Sequence, residues 1–278
     1  MNRKTFLRRS LFLALGVGAT AFRPLPVLAR RSKTYSLTLL YTANLNGRVE
    51  SKDSGFDMAR LKTLVDQVRK EQPNTLLLDC GNALGPTAYA EMYGTGFMYG
   101  IMSKMQYDAG LLGPDDWRVG AENLLNALAE ADFPVICSNY AMEDSGLKDR
   151  VLSHYIIQAG PVKVGLFGLD PDIESPGKIR YRRPDLIAQA MVRSLKGYYE
   201  CDLAVCLSQL DVEADRKLAR AVPGVDIILA GKAGKQESGS ERIDHEDGRM
   251  TLINRIGSEE PELGRLDLLF DERKSIRR

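Results

Sequence analysis

Short apolar segments of strand length alternate with amphipathic segments of helix length between Tyr35 and Phe270. Tyr35–Tyr41 (YSLTLLY) and Val162–Leu169 (VKVGLFGL) have the β-branched, aromatic and apolar residues typical of buried strands. In Asp57–Lys70 the apolar residues recur at helical spacing. Parallel strands need long crossover connections, which are usually helices, so this alternation favours parallel sheets. The sequence therefore predicts a largely parallel α/β sheet or sandwich.

Charge and composition exclude several classes of protein. The chain has 278 residues and 38 Lys and Arg against 37 Asp and Glu, a formal net charge of +1. A nucleic-acid-binding protein usually has a strongly basic surface, so we expect no nucleic-acid partner. With 44% apolar and 27% charged residues, the composition is that of a globular protein. We expect one domain at 33–270 and a charged tail at 271–278.

Residues 1–29 have the features of an export signal. Four basic residues among the first ten precede an apolar run at Leu11–Ala21, which is shorter than the ~20 residues that span a bilayer. The Arg8-Arg9 pair, followed by Ser-Leu-Phe-Leu, is typical of a twin-arginine signal. An ordinary secretory signal with an incidental Arg pair is the alternative. We expect export to the bacterial periplasm, either free or held by an uncleaved signal anchor, with no other transmembrane segment.

Polar or Gly-rich loops directly follow the apolar segments. In open α/β folds ligands bind at the carboxyl ends of strands, where such loops converge. We expect a composite pocket from five loops: Thr42–Gly47, Asp79–Asn82, Gly113–Trp117, Ser208–Asp211 and Ala230–Gly234.

Five framework stretches occur in a characteristic order and spacing, at 57–82, 108–128, 162–169, 222–234 and 263–270. They include DMARLKTLVDQVRKEQPNTLLLDCGN, VPGVDIILAGKAG and LGRLDLLF. Through them the chain resembles the N-terminal calcineurin-like metallophosphatase domain of the bacterial 5'-nucleotidase / 2',3'-cyclic phosphodiesterase family. The resemblance implies a four-layer α/β/β/α sandwich, the calcineurin-like metallo-dependent phosphatase fold, with two metal ions held between loops at one edge.

The chain departs from that family at its metal-binding positions. Where active members carry Asp-x-His after the first strand, this chain has Asn44 and Asn46. In the later Gly-Asp pair, Asn82 replaces the Asp. In the Gly-Asn-His-Glu motif, Pro114 replaces the metal-binding Asn, and Asp115 stands at the position of the catalytic His.

The two remaining motifs have changed as well. Gln209 replaces the His of Ser-His-Leu-Gly, while Lys232 and Gly234 replace the two His of Gly-Gly-His-x-His. A dinuclear hydrolytic site needs carboxylates and imidazoles, whereas amides are neutral, Gly has no side chain and Lys is cationic. His154, before a strand, and His245, in a polar loop at 241–248, are the only histidines and lie outside these motifs. The sequence therefore predicts that no metal is bound at these positions and that no cofactor is needed.

These substitutions predict a non-catalytic binding or partner protein, a pseudoenzyme on a phosphatase scaffold. The partner would be a small anion such as phosphate, or another exported protein. The candidate anion-binding residues are the amides and the one cation of the altered site: Asn44, Asn46, Asn82, Gln209 and Lys232. Catalytic residues remain unassigned, and an active hydrolase of phosphate esters or nucleotides with an altered site is the alternative.

Two other chemistries remain open at the same loops. A hard divalent cation accepts all-oxygen ligands, and it would be bound weakly by four carboxylates: Asp79, Asp115, Asp116 and Asp211. A thiol redox protein is the other alternative, with Cys80 and Cys137 as its candidates. A thiol near a helix N-terminus and a Lys would have a lowered pKa.

Overall fold

The computed structural model describes residues 34–51, 55–142, 146–173, 179–234, 236–257, 261–272, 274 and 276. They belong to one unit, Lys33–Arg278. The export signal predicted at 1–29 lies outside the described residues. None of the described helices combines the length and the apolar character that crossing a bilayer requires.

Strands and helices alternate along the described chain. The strands are β1 (Tyr35–Thr42), β2 (Thr75–Asp79), β3 (Ala109–Leu111), β4 (Val135–Ile136), β5 (Tyr140–Ala141), β6 (Val151–Leu152), β7 (His154–Ala159), β8 (Val162–Leu169), β9 (Arg180–Tyr181), β10 (Leu203–Ser208), β11 (Ile227–Ala230), β12 (Gly239–Asp244), β13 (Met250–Arg255) and β14 (Gly264–Phe270). The helices are α1 (Met58–Glu71), α2 (Ala88–Tyr93), α3 (Phe97–Lys104), α4 (Pro114–Trp117), α5 (Ala121–Ala129), α6 (Pro184–Val192) and α7 (Val212–Ala221). A π-helical turn at Arg193–Tyr198 continues α6.

The strands form two large sheets. One has the order β14-β1-β2-β3-β4-β6 and the other β12-β13-β11-β10-β8-β7. The central strands of both sheets run parallel, which confirms the largely parallel sandwich predicted from the sequence. The edge strands β14, β12 and β7 pair antiparallel with their neighbours. A short separate pair joins β5 and β9.

The layers follow from the two-residue period of the strands. In β8, Val162, Val164 and Leu166 contribute to the apolar core between the two sheets, whereas Phe167 and Leu169 contribute to a second core. That second core also contains residues of α6 and α7, and a third core packs α1, α3 and α5 against the first sheet. Because successive side chains point to opposite faces, each sheet is covered on both sides. This is the four-layer α/β/β/α arrangement that the resemblance implies.

Helix α1 shows how the sequence sets these layers. The Asp57 side chain accepts from the backbone N–H of Ala59 at 2.7 Å and so caps the first turn. Leu61, Val65 and Val68 follow at helical spacing and are buried against the first sheet. Burying each such side chain stabilises the fold by about 1.5–3 kcal/mol.

The chain after β14 contacts the domain where it is described. Ile276 makes an antiparallel bridge with Phe270. The Lys274 ammonium lies 2.8 Å from the Asp202 carboxylate, which precedes β10. These contacts extend beyond residue 270, the end of the domain expected from the sequence.

Candidate functional site

The predicted polar loops meet at one edge of the sandwich, at the carboxyl ends of β1, β2, β3, β10 and β11. Asn44 N–H donates to the Gly81 carbonyl at 2.9 Å, and Asn46 N–H donates to the Asn82 carbonyl at 2.8 Å. Gly231 N–H donates to the Ser208 carbonyl at 3.0 Å. Backbone hydrogen bonds therefore hold neighbouring loops together before any side chain contributes.

Three side-chain amides hydrogen-bond to one another where these loops meet. Asn82 Nδ2 donates to Asn44 Oδ1 at 2.9 Å, and Gln209 Nε2 donates to the same oxygen at 3.3 Å. Asn82 Nδ2 also lies 3.4 Å from Gln209 Oε1. We refer to Asn44, Asn82 and Gln209 as the amide cluster. All three are buried, with exposed fractions of 4%, 7% and 1%.

The amide cluster is also bonded to the backbone around it. Asn44 Nδ2 donates to the Gly231 carbonyl at 2.5 Å, and Gln209 Nε2 donates to the Cys80 carbonyl at 2.8 Å. Asn82 Oδ1 accepts from Asp115 N–H at 2.8 Å. A buried amide without partners is costly, and these contacts use the donors and acceptors that such a cluster presents. The cluster thus joins loops from both sheets.

Backbone conformation favours asparagine at these positions. Asn44, Asn46 and Asn82 have φ of +55°, +48° and +60°. This left-handed region is unfavourable for most side chains, and Asn tolerates it better than most residues other than Gly. The asparagines therefore fit the local backbone independently of any ligand.

The buried Asp116 carboxylate organises the neighbouring loops. It accepts from the backbone N–H of Leu84 at 2.7 Å, Gly113 at 2.8 Å and Asn82 at 3.0 Å. Burial raises the pKa of Asp116 to about 7, although the three backbone donors act in the opposite direction. Both oxygens of this carboxylate are thus engaged within the protein.

Asp79, at the end of β2, has a similar environment. Its oxygens accept from the Thr42 hydroxyl at 2.7 Å and from Gly81 N–H at 2.8 Å. Burial raises the pKa of Asp79 to about 8. Desolvation thus opposes the charged form that would bind a cation.

The other two carboxylates of the predicted cation site point to separate partners. Asp115 pairs with Arg118 at 2.6 Å, and Asp211 caps α7 by accepting from Ala214 N–H at 2.8 Å. Among the described residues, no group of three or more His, Cys, Asp or Glu side chains is placed to hold a metal ion.

The donor set does not fit the two divalent ions that the resemblance implies. The amide cluster supplies neutral oxygens that already accept hydrogen bonds, and Lys232 supplies a cation. The histidines lie elsewhere: His154 begins β7, while His245 follows β12 and contacts the Thr251 hydroxyl at 2.9 Å. We therefore derive no catalytic step through a metal.

The five residues predicted to bind an anion do not line one cavity. Asn46 and Asp115 line a cavity of about 580 Å³. Lys232 is exposed and lines a different cavity of about 460 Å³. Gly234 and three carboxylate residues line the same cavity: Asp211, Glu213 and Glu237. Anion binding stays a prediction without a shared cavity to support it.

The cysteines predicted to be redox-active are both buried. Cys80 has no exposed surface, and its Sγ lies 3.3 Å from the Leu229 carbonyl. Burial raises the pKa of the Cys80 and Cys137 thiols well above the usual value. This environment disfavours the thiolate that redox chemistry requires.

Asp170 is a buried carboxylate at the same edge that the sequence analysis did not predict. Asp170 directly follows β8, is fully buried, and accepts from Trp117 Nε1 at 3.2 Å. Burial raises its pKa well above the usual value. Its position immediately after an apolar strand was the available sequence signal, as it was for the other loops.

Known proteins are similar to this chain in sequence and fold. Human 5'-nucleotidase is 28% identical over 300 residues, covering 96% of this chain and 50% of the human protein. The 5'-nucleotidase precursor of Thermus thermophilus superposes with a TM-score of 0.76 at 25% identity, over 88% of this chain and 53% of that one. This chain is a relative of the 5'-nucleotidases.

A second structure supports the fold of this 5'-nucleotidase relative. A calcineurin-like phosphoesterase from Bacillus subtilis superposes with a TM-score of 0.68 at 22% identity, over 88% of both chains. The chain spans about half the length of the curated relatives that it matches. No protein-family profile matches it. The resemblance and the fold class predicted from the sequence are thereby confirmed.

Proposed function

We propose that this 5'-nucleotidase relative is a non-catalytic protein, in which the amide cluster replaces the dinuclear metal centre of the phosphatase scaffold. The observation that carries the proposal is the closed hydrogen bonding of Asn44, Asn82 and Gln209. Their positions match the metal-ligand positions of the family that the sequence resembles. Here their polar atoms bind one another and the backbone.

The chemistry of ester hydrolysis supports this proposal. Metal-dependent hydrolysis relies on a bound ion that lowers the pKa of water and stabilises charge on the phosphoryl oxygens. Asp115, at the position of the family's catalytic His, is paired with Arg118 and donates its backbone N–H to the cluster. This paired carboxylate has no positive charge to offer an anionic phosphate ester, so it would not stabilise one.

A phosphate-ester assay tests the proposal. The full chain is incubated with p-nitrophenyl phosphate and with AMP, each with and without Mn²⁺, beside human 5'-nucleotidase as a positive control. We expect no turnover above buffer. Turnover that is lost in the Asn82→Ala variant would overturn the proposal, and it would support the altered hydrolase. Turnover that persists unchanged in that variant would come from another site or a contaminant, and a repeat on a chromatographically separated sample decides which.

We also propose that the protein acts outside the cytoplasm, in the periplasm, as a binding or partner protein. Support comes from the basic and apolar pattern of residues 1–29, with its Arg8-Arg9 pair. Cell fractionation of the full chain tests this, with Arg8→Lys/Arg9→Lys as the matched variant. We expect periplasmic protein for the wild type and cytoplasmic retention for the variant. Export that survives the double substitution would favour the ordinary secretory route.

A further inference from the structure

A cavity of about 580 Å³ lies beside the amide cluster, and the hydrogen bonding of the cluster does not explain it. It lies against α2 and the start of α5. Leu84 is buried in its lining, and Pro86, Ala90 and Val119 add apolar surface. Pockets for small organic molecules are typically about 300–1,000 Å³ and mostly apolar, with a few polar groups. This cavity has the size and the lining of such a pocket.

The polar groups of the lining are biased towards hydrogen-bond acceptors. Its charged residues are Glu91, Asp115 and Arg118. The Arg118 guanidinium is already held at 2.6 Å by the Asp115 carboxylate. Glu91 makes no ion pair with the described residues. The buried Asn46 Oδ1 also lacks a hydrogen-bond partner among the residues that the structure describes. The lining therefore carries one uncompensated negative charge.

We infer that this cavity binds a small organic cation with an apolar body, of the arylalkylamine class. The ammonium group of such a ligand would pair with Glu91, and its ring would cover Pro86 and Val119. An anionic ligand of the same shape would meet the uncompensated Glu91 carboxylate, because Arg118 is already paired with Asp115. The inference goes beyond the non-catalytic role and does not depend on it, because it needs neither metal binding nor its absence.

Two probes with the same aromatic ring and opposite charges test the inference. The full chain is titrated with 2-phenylethylamine and, separately, with phenylacetate, which carries the same ring and the opposite charge. The side-chain amide NMR signals of Asn46 and Asn123 report directly on the cavity that both residues line. We expect the amine to shift both signals saturably and the acid to leave them in place. Equal or tighter binding of the acid, or no shift with either probe, would overturn the inference.

Three variants locate the binding site. Glu91→Gln should weaken amine binding about two- to fivefold, the effect expected of a solvent-exposed ion pair. Val119→Trp should abolish binding by filling the cavity. Ala90→Phe, at another residue of the lining, provides a second filling variant if the first does not fold. Glu213→Gln, beside the other cavity, should bind as the wild type does. Unchanged affinity in the Glu91 variant, or in both filling variants, contradicts the assignment.

Discussion

Asn82 donates a side-chain N–H to Oδ1 of Asn44 across 2.9 Å, and the two residues follow the adjacent parallel strands β2 and β1. In the family that the sequence resembles, both positions carry aspartate. Two buried carboxylates at this separation repel each other unless a cation lies between them, whereas two amides attract. The two substitutions are therefore physically coupled. Together they remove the charge repulsion that a bound cation would otherwise have to offset.

Asn82 variants test this coupling. Asn82→Asp places a carboxylate against the oxygens of Asn44 and Gln209, and Asn82→Ala leaves the Asp115 N–H without its acceptor. We expect each to lower the free energy of unfolding by about 1–3 kcal/mol, with the larger loss for Asp. The loss for Asp should shrink at acidic pH, where its carboxyl is neutral. Urea denaturation at neutral and acidic pH measures the free energy of unfolding of both variants, with the exposed Asn126→Asp as the control. Wild-type stability of Asn82→Asp would contradict the account.

Gly231 provides a steric test of the same edge. A Cβ at this residue would lie 2.5 Å from the Ala43 Cβ and 2.8 Å from Gln209 Nε2. Gly231→Ala should therefore displace the amide cluster and cost about 1–3 kcal/mol of stability, the usual effect of overpacking. Gly197→Ala, where a Cβ meets nothing within 4 Å, is the matched control. Thermal denaturation compares the two. Equal melting temperatures would show that the edge is loosely packed.

The buried Asp215 predicts how stability depends on pH. Burial raises its pKa to about 7, although the Ser208 hydroxyl, which donates at 2.6 Å, acts in the opposite direction. The unfolded value is about 3.9. Because folding raises this pKa, the contribution of Asp215 is complete below about pH 4 and is lost as the pH rises through about 7.

An isosteric variant isolates that contribution. Asp215→Asn keeps an acceptor for Ser208 but cannot ionise. Between about pH 5 and about pH 8, its free energy of unfolding should fall less than that of the wild type. Urea titrations at both pH values measure the difference. The exposed Asp132→Asn should follow the wild-type profile. If Asp215→Asn keeps the full wild-type slope, Asp215 is ionised in the native state.

Cys80 should be chemically inert in the native protein. It is fully buried and its pKa is raised, so both access and thiolate formation are disfavoured. Labelling with iodoacetamide followed by peptide mapping should modify Cys80 only as fast as the protein unfolds. The Cys80→Ala variant identifies the modified peptide. Labelling that is complete before unfolding would favour the thiol redox alternative.

Much of the fold could be predicted because it follows from local patterns. The apolar run at Val162–Leu169 became β8, and the helical spacing of Asp57–Lys70 became α1, displaced by one residue. The prediction of a polar loop at 241–248 was wrong for its first half, because β12 extends through Asp244. Its residues are mostly exposed and polar, and pairing with β13 makes them a strand. Such pairing is a non-local contact that the sequence does not display.

The site was predictable in its location and less so in its contacts. Asn44, Asn82 and Gln209 could be placed at one edge because each follows a strand. Their mutual hydrogen bonds depend on left-handed backbone and on side-chain direction, which no sequence pattern encodes. Lys232 was grouped with them by motif position, yet its side chain is exposed beside a separate cavity. Motif spacing predicts the backbone position of a residue, whereas packing determines the direction of its side chain.

The metal content of the purified protein tests the central claim most directly. The full chain would be prepared without chelator, dialysed against Mn²⁺, Zn²⁺ and Mg²⁺ in turn, and analysed by inductively coupled plasma mass spectrometry. The account predicts far less than one equivalent of any of these metals, in the wild type and in Asn82→Ala alike. One or more equivalents of a transition metal, lost in the Asn82→Ala variant, would contradict it.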